Sequence, residues 1–210
     1  MKIGIIGSGN VGSALGPRWA AAGHEIKYGV RNTARPELVG LLKKIGVRAS
    51  AGSVAEAAAF GEIIVLTTPW NGTQAAIESA GKLAGKIVVD CTNPLKADLS
   101  GLSVGLDTSG AEQVAHWANG ARVVKCFNTT GAENMTEPSF GADRAVMFLA
   151  GDDGAAKATV SKLGEDLGLE MVDAGGLEIA RLLEPVAMLW VHLAFRRGLG
   201  RNFAFRLLRR

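Results

Sequence analysis

Lys2-Ile3-Gly4-Ile5-Ile6-Gly7-Ser8-Gly9-Asn10-Val11-Gly12 is the stretch on which the fold turns. A short β-branched run leads into G-x-G-x-x-G, and an alanine-containing helical stretch follows at 11–22. Strand before and helix after is the context in which those glycines acquire a job. Gly7 permits the tight turn, Gly9 lets a pyrophosphate approach the backbone, and Gly12 lets helix and strand pack closely. The helix start offers unpaired N–H groups and the positive end of its dipole. Gly7, Ser8, Gly9, Asn10, Val11 and Gly12 are therefore expected to form a dinucleotide phosphate site.

The same alternation continues outward. Strands are expected at Lys2–Ile6, 24–29, 62–66, 86–90 and 122–127, with helices at 11–22, Pro36–Ile45, 71–80 and 109–119. Near-continuous apolar strands alternating with helices imply a parallel sheet covered on both faces. The character changes after Phe127. Residues 128–143 are polar and turn-rich, followed by a strand at 144–150 and a helix at 152–167 capped by Asp152 or Asp153. A short strand at 169–173 and a long, mostly apolar helix at 177–195 complete the pattern. The expected fold is α/β, a doubly wound, mostly parallel Rossmann sheet. Residues 1–127 would form the dinucleotide-binding domain and 128–210 a smaller, partly helical segment.

Composition agrees with that fold class. The chain has 210 residues, 48% hydrophobic and 20% charged, which excludes a disordered protein. Its length suits one domain with at most a small appendage. Cys91 and Cys126 are not in a C-x-x-C and fit free thiols in a reducing cytosol, so a cytoplasmic location is expected. The apolar run at the N-terminus is too short for a signal peptide, and no stretch reaches the ~18–20 apolar residues of a membrane span. The net charge is +3, yet six arginines and no acid lie in residues 196–210, leaving 17 basic against 20 acidic residues elsewhere. The excess positive charge belongs to the tail, and no nucleic-acid or membrane partner is expected.

The second strand ends near the adenine ribose, where an NAD-binding chain usually places an acid about 20 residues past the turn. Here the sequence reads Tyr28-Gly29-Val30-Arg31-Asn32-Thr33-Ala34-Arg35, and Glu25 is the nearest acid. Arg31 offers a planar fork for a 2′-phosphate, Asn32 and Thr33 add hydrogen bonds, and Arg35 adds a second charge. NADP(H) is therefore expected rather than NAD(H).

No nucleophile triad, metal motif or P-loop lysine is present, and no side chain is assigned as catalyst. His24 reads as structural, His116 as a packing residue and His192 as a core histidine. Hydride transfer asks little of side chains, because the cofactor carries the chemistry. Ligands bind at the carboxyl edge of a parallel sheet. The later strand ends there are Thr67-Thr68-Pro69-Trp70, Thr92-Asn93-Pro94 and Asn128-Thr129-Thr130. Pro69 and Pro94 would fix loops against the ribose and nicotinamide, and Thr67, Thr68, Asn93 and Asn128 would line the cofactor. Asn128 and Thr129 are candidates to donate to a hydride acceptor as it gains negative charge.

Five segments together resemble the NADPH-dependent reductases of coenzyme F420, an 8-hydroxy-5-deazaflavin. They resemble equally the cytosolic NADPH-oxidising domain of the six-transmembrane ferric reductases. The segments are Ile5–Gly12, Gly29-Val30-Arg31-Asn32, Val89-Asp90-Cys91-Thr92-Asn93, Val124-Lys125-Cys126-Phe127-Asn128-Thr129 and Ala150-Gly151-Asp152-Asp153. The resemblance covers nearly the whole chain. It implies a Rossmann domain and a small helical segment that helps form the acceptor site and often a dimer. It also implies hydride transfer between NADP(H) and a small-molecule deazaflavin or flavin acceptor. Phe127-Asn128-Thr129 is closer to the ferric reductase pattern than to archaeal deazaflavin reductases, where a histidine is expected at position 128.

Two other readings compete. An NADPH-binding sensor or scaffold would need no turnover at all. A β-hydroxyacid dehydrogenase relative would need a lysine on its long helix, whereas 177–195 holds Arg181, Glu184 and His192 and the chain is short for that class. The helix is apolar nearly all round, so it should be buried on more than one side, and a homodimer is expected.

Overall fold

A computed structural model describes residues 1–210. Its strands are β1 (Lys2–Ile6), β2 (Glu25–Gly29), β3 (Ala49–Gly52), β4 (Ile63–Leu66), β5 (Ile87–Asp90), β6 (Arg122–Lys125), β7 (Ser139–Phe140), β8 (Asp143–Arg144), β9 (Val146–Gly151) and β10 (Glu170–Asp173). Its helices are α1 (Asn10–Ala21), α2 (Pro36–Ile45), α3 (Val54–Phe60), α4 (Thr73–Ala80), α5 (Gly110–Trp117), α6 (Ala132–Thr136), α7 (Gly154–Leu167) and α8 (Ala180–Val191).

Eight strands form one sheet in the order β10-β9-β6-β5-β4-β1-β2-β3. The stretch from β3 to β6 has the doubly wound order, with its switch between β1 and β4. Within this sheet all pairings are parallel except β6 with β9. Residues after 127 therefore extend the same sheet by β9 and β10, while β7 and β8 form a separate hairpin.

The two faces of the sheet bury alternate residues of the central strands β1, β4, β5 and β6. Ile3, Ile5, Val65, Val89 and Val124 join one core with Trp19, Tyr28 and Leu163. Ile6, Ile64, Leu66, Val88 and Val123 join the other with Ile77 and Val114. Burial on both sides is what the unbroken apolar strands require.

β3 and α3 lie between the expected second helix and third strand, where no element is expected. β3 is Ala-Ser-Ala-Gly, without a β-branched or aromatic residue, and pairing with β2 overrides its weak propensity. α3 did carry a signal: Ser53 and Glu56 form a capping box, each side chain bonding the other's backbone N–H. The expected helix at 177–195 is three pieces, a 3-10 turn at Leu177–Ile179, α8, and a π turn at His192–Arg196. Its burial is one-sided within the chain. Leu183, Ala187 and Trp190 are buried, whereas Leu182, Leu189 and Phe195 remain exposed. No helix is long and apolar enough to cross a membrane.

Candidate functional site

Gly7 adopts φ +110°, a conformation few other residues reach, and turns the chain from β1 into α1. Thr67 pins that turn from the end of β4, its hydroxyl lying 3.0 Å from the Ile6 carbonyl and 3.1 Å from that of Gly7. A side chain at Gly12 would strike the Gly7 carbonyl, so this glycine closes the helix onto the strand. Tyr28 donates to the Gly12 carbonyl at 3.1 Å, and burial raises its pKa, keeping the phenol protonated.

Gly9 is the N-cap of α1, in ordinary extended geometry. No side chain caps the helix and no acid lies in its first turn. A Cβ built on Gly9 meets nothing within 4 Å. The result is a free, positively polarised helix start beneath open space, flanked by half-buried Ser8 and exposed Asn10. Val11 packs against the core instead.

At the end of β2, Arg31, Asn32, Thr33 and Arg35 are all exposed. The Asn32 carbonyl oxygen accepts from the Ala34 N–H at 2.9 Å, so its side chain shapes the loop. Arg35 sits 3.6 Å from Glu37, which offsets its charge. Arg31 has no carboxylate in salt-bridge range and is the uncommitted cation of this strand end.

Asn93 and Asn128 meet at the ends of β5 and β6. Asn93 Nδ2 donates to the Asn128 backbone carbonyl at 3.0 Å, and Asn128 Nδ2 donates to Asn93 Oδ1 at 3.0 Å. Asn128 Nδ2 also donates to the Leu183 carbonyl of α8 at 3.2 Å. Both amide hydrogens of Asn128 are thus spent inside the protein. Phe127, just before it, is buried at φ +56°, a strained non-glycine conformation of the kind found at functional sites. Thr129 is buried and its hydroxyl faces Met147 sulfur at 3.6 Å, so its side chain turns into the core rather than to the edge. Thr68 shares a 2.9 Å hydrogen bond with Thr73, which tethers the loop carrying exposed Pro69 to the start of α4. Pro94 is buried and packs close to Gly110 at the start of α5.

Beneath this edge lies a buried ion cluster that is not among the expected site residues. Lys125 Nζ is 2.9 Å from Asp90 Oδ2 and 2.9 Å from Glu184 Oε1, and it also donates to the Thr92 carbonyl. Glu184 accepts from the N–H groups of Gly110 and Ala111 at 2.9 and 3.1 Å. Asp90 accepts from the Thr92 N–H and hydroxyl at 2.9 and 2.7 Å. Burial alone would lower the Lys125 pKa, but the two carboxylates outweigh it and hold the ammonium above its ordinary value. A lysine inside an apolar strand and a glutamate inside an apolar helix were the available signal, since such charges persist in a core only when paired. Nearby, Arg181 grips Glu112 in a two-point pair at 2.6 and 2.9 Å and pulls its carboxyl below the usual range.

The histidines stand apart from this edge. His24 bonds Asp166 at 3.1 Å, as a structural residue would. His116 is exposed, and His192 lies exposed on the π turn rather than in the core, because the apolar face of α8 that turns inward does not include it.

Known proteins resemble this chain in sequence and in fold. The pattern of the family NADP oxidoreductase coenzyme F420-dependent matches residues 2–94. The F420-dependent NADP reductase of Methanothermobacter marburgensis is 29% identical over 221 residues, covering 99% of this chain and 98% of that protein. The metalloreductase STEAP3 of Rattus norvegicus is 30% identical over 187 residues, covering 89% of this chain and 36% of that protein. A provisionally named F420-dependent NADP-reductase from Arthrobacter sp. FB24 has a crystal structure that superimposes over the full length of both chains, with TM-score 0.91 and 33% identity.

Proposed function

This chain belongs to the coenzyme F420-dependent NADP oxidoreductase family, and we propose that it transfers hydride between NADP(H) and the deazaflavin F420. The observation that carries the proposal is the free start of α1 under open space at Gly9, paired with an acid-free β2 end where Arg31 is uncommitted. A dinucleotide pyrophosphate fits the first feature and a 2′-phosphate the second. NADP(H) is the hydride carrier, and the deazaflavin ring supplies an electrophilic carbon that needs no protein acid beside it.

The chain's own residues bind and orient. Gly7–Gly12 hold the pyrophosphate, and Arg31 holds the 2′-phosphate with Asn32, Thr33 and Arg35 around it. Thr67, Thr68, Pro69, Asn93, Pro94 and Asn128 line the path of the nicotinamide along the carboxyl edge. In this reading residues 1–127 bind NADP(H), and residues 128–210 complete the acceptor site and a homodimer contact. The exposed Leu182, Leu189 and Phe195 supply the apolar surface for that contact. Light scattering at twice the 21.8 kDa chain mass is the expected result, and a monomer at micromolar concentration contradicts it. Two buried free thiols, Cys91 and Cys126, suit a reducing compartment such as the cytoplasm.

A flavin is the second acceptor to consider, because Phe127-Asn128-Thr129 and the similarity to STEAP3 both point toward the ferric reductases. NADPH oxidation followed by absorbance separates the readings. F420 is expected to support turnover well above FAD, FMN or riboflavin. Faster turnover with a flavin reverses the assignment, and NADPH binding without turnover on any acceptor favours a sensor.

A further inference from the structure

Asn128 is 5% exposed, and its side-chain oxygen has no hydrogen-bond partner. Two backbone carbonyls fix which end of the amide is which. The Leu183 carbonyl accepts only from a nitrogen, so it identifies Nδ2 of Asn128. The Asn128 carbonyl likewise identifies Nδ2 of Asn93, which leaves Asn93 Oδ1 to receive the second Asn128 hydrogen. Rotating either amide would set oxygen against oxygen. The orphaned atom is therefore an acceptor, and Asn128 has no hydrogen left to donate.

The side chain is also held rigidly. α8 supplies Leu183, and the adjacent Glu184 is anchored by Lys125 and by the start of α5. A buried acceptor without a donor is rare in folded proteins and calls for a specific cause. Here it stands at the carboxyl edge of β6, next to Asn93 and just after the strained Phe127. On the reading that NADP(H) and F420 meet at this edge, we infer that Asn128 Oδ1 selects ligands by accepting one amide-type N–H. That N–H is either the nicotinamide carboxamide or the imide of the deazaflavin pyrimidine ring. The role is the reverse of charge stabilisation by donation: Asn128 reads ligand identity and gives nothing to a developing anion.

Ligands lacking the N–H test this. The 3-acetylpyridine analogue of NADPH replaces the carboxamide NH2 with a methyl group of similar size, and an N-methylated imide removes the donor from the deazaflavin. Dissociation constants are measured by titration for each parent and analogue, on wild type and on Asn128→Ala. Leaving a buried acceptor unpaired should cost wild type about 5- to 150-fold in affinity for one analogue. Asn128→Ala should bind that analogue and its parent within about twofold of each other. Coupling to the acetyl analogue identifies the nicotinamide as the donor, and coupling to the methylated imide identifies the acceptor. Wild type that binds both analogues as tightly as the parents overturns the inference without any variant, and an internal water then satisfies the oxygen. Equal discrimination by wild type and Asn128→Ala also overturns it. In both cases NADPH itself still binds, so the proposed function stands; loss of NADPH binding by wild type would remove that function and this inference together.

Discussion

Lys125 Nζ lies 2.9 Å from Glu184 Oε1, with both side chains withdrawn from solvent, and this pair fastens β6 to α8. Asp90 completes the cluster from β5. The attachment sets where Leu183 offers its carbonyl to Asn128, so charge pairing beneath the sheet edge shapes the edge itself. Lys125→Met should leave two buried carboxylates uncompensated and cost about 3–5 kcal/mol. For a chain of this length that is a fall in Tm of about 6–20 °C. Calorimetry checks it, and a change below about 1 kcal/mol would show that the carboxylates are not relying on the ammonium.

The last two glycines of the turn should separate binding from folding. Gly9→Val adds a side chain where the protein has open space and an ordinary backbone conformation, so stability should fall by no more than about 1 kcal/mol, the cost of a poorer N-cap, while NADPH binding is lost. Gly12→Ala drives a methyl group into the Gly7 carbonyl and should lower both stability and binding. Thermal melts and NADPH titration read the two effects. Micromolar NADPH binding by Gly9→Val would put the pyrophosphate elsewhere.

Arg31→Ala should weaken NADPH by roughly 10–150-fold and leave NADH nearly unchanged, the loss of a charge-assisted contact to one phosphate. Arg35→Ala should lose less, because Glu37 already offsets that charge. Equal losses for the two cofactors would assign Arg31 no part in choosing between them.

Stability should fall in alkali. Burial raises the Cys91, Cys126 and Tyr28 acids, with Cys126 and Asp90 adding to the effect at Cys91. The unfolded chain then releases these protons first, and stability declines as pH rises past about 8.5, the ordinary thiol value. Lys125 adds stability that is whole below about 10.4 and is lost as pH rises through its raised pKa. On the acid side, Glu112 is lowered chiefly by its hydrogen bond from Arg181, so its contribution holds above about 4.3 and is lost as pH falls through the lowered value. Urea midpoints at pH 7 and pH 9.5 should differ, the higher pH being the weaker, and less so in Cys126→Ala. Identical midpoints would contradict this account of the buried thiols.

The glycine turn, the strand–helix alternation and the bare β2 end were legible because each is local and has a physical cause within a few residues. β3 was not, since Ala49–Gly52 becomes a strand only by pairing with β2. The ion cluster was half legible: Lys125 and Glu184 each look misplaced among apolar neighbours, but nothing local says that they meet. Residue type and strand end mark Asn93 as a cofactor-lining residue and Asn128 as a ligand donor as well. Their mutual hydrogen bonds, which use up the donors of Asn128, come from strands that only the folded sheet sets side by side. His192 misled because α8 is apolar around most of its circumference while only one side of it faces the core.

Isotope transfer tests the central claim most directly. NADPH carrying deuterium at nicotinamide C4, prepared as each of the two epimers, is mixed with oxidised F420 and this protein, and the reduced deazaflavin is examined by mass spectrometry and NMR. The account predicts that one epimer delivers its deuterium to the ring carbon of F420 with no dilution from solvent, and that the other delivers hydrogen. Solvent hydrogen at that carbon from both epimers, or no reduction of F420 while NADPH is bound, would contradict direct hydride transfer across this sheet edge.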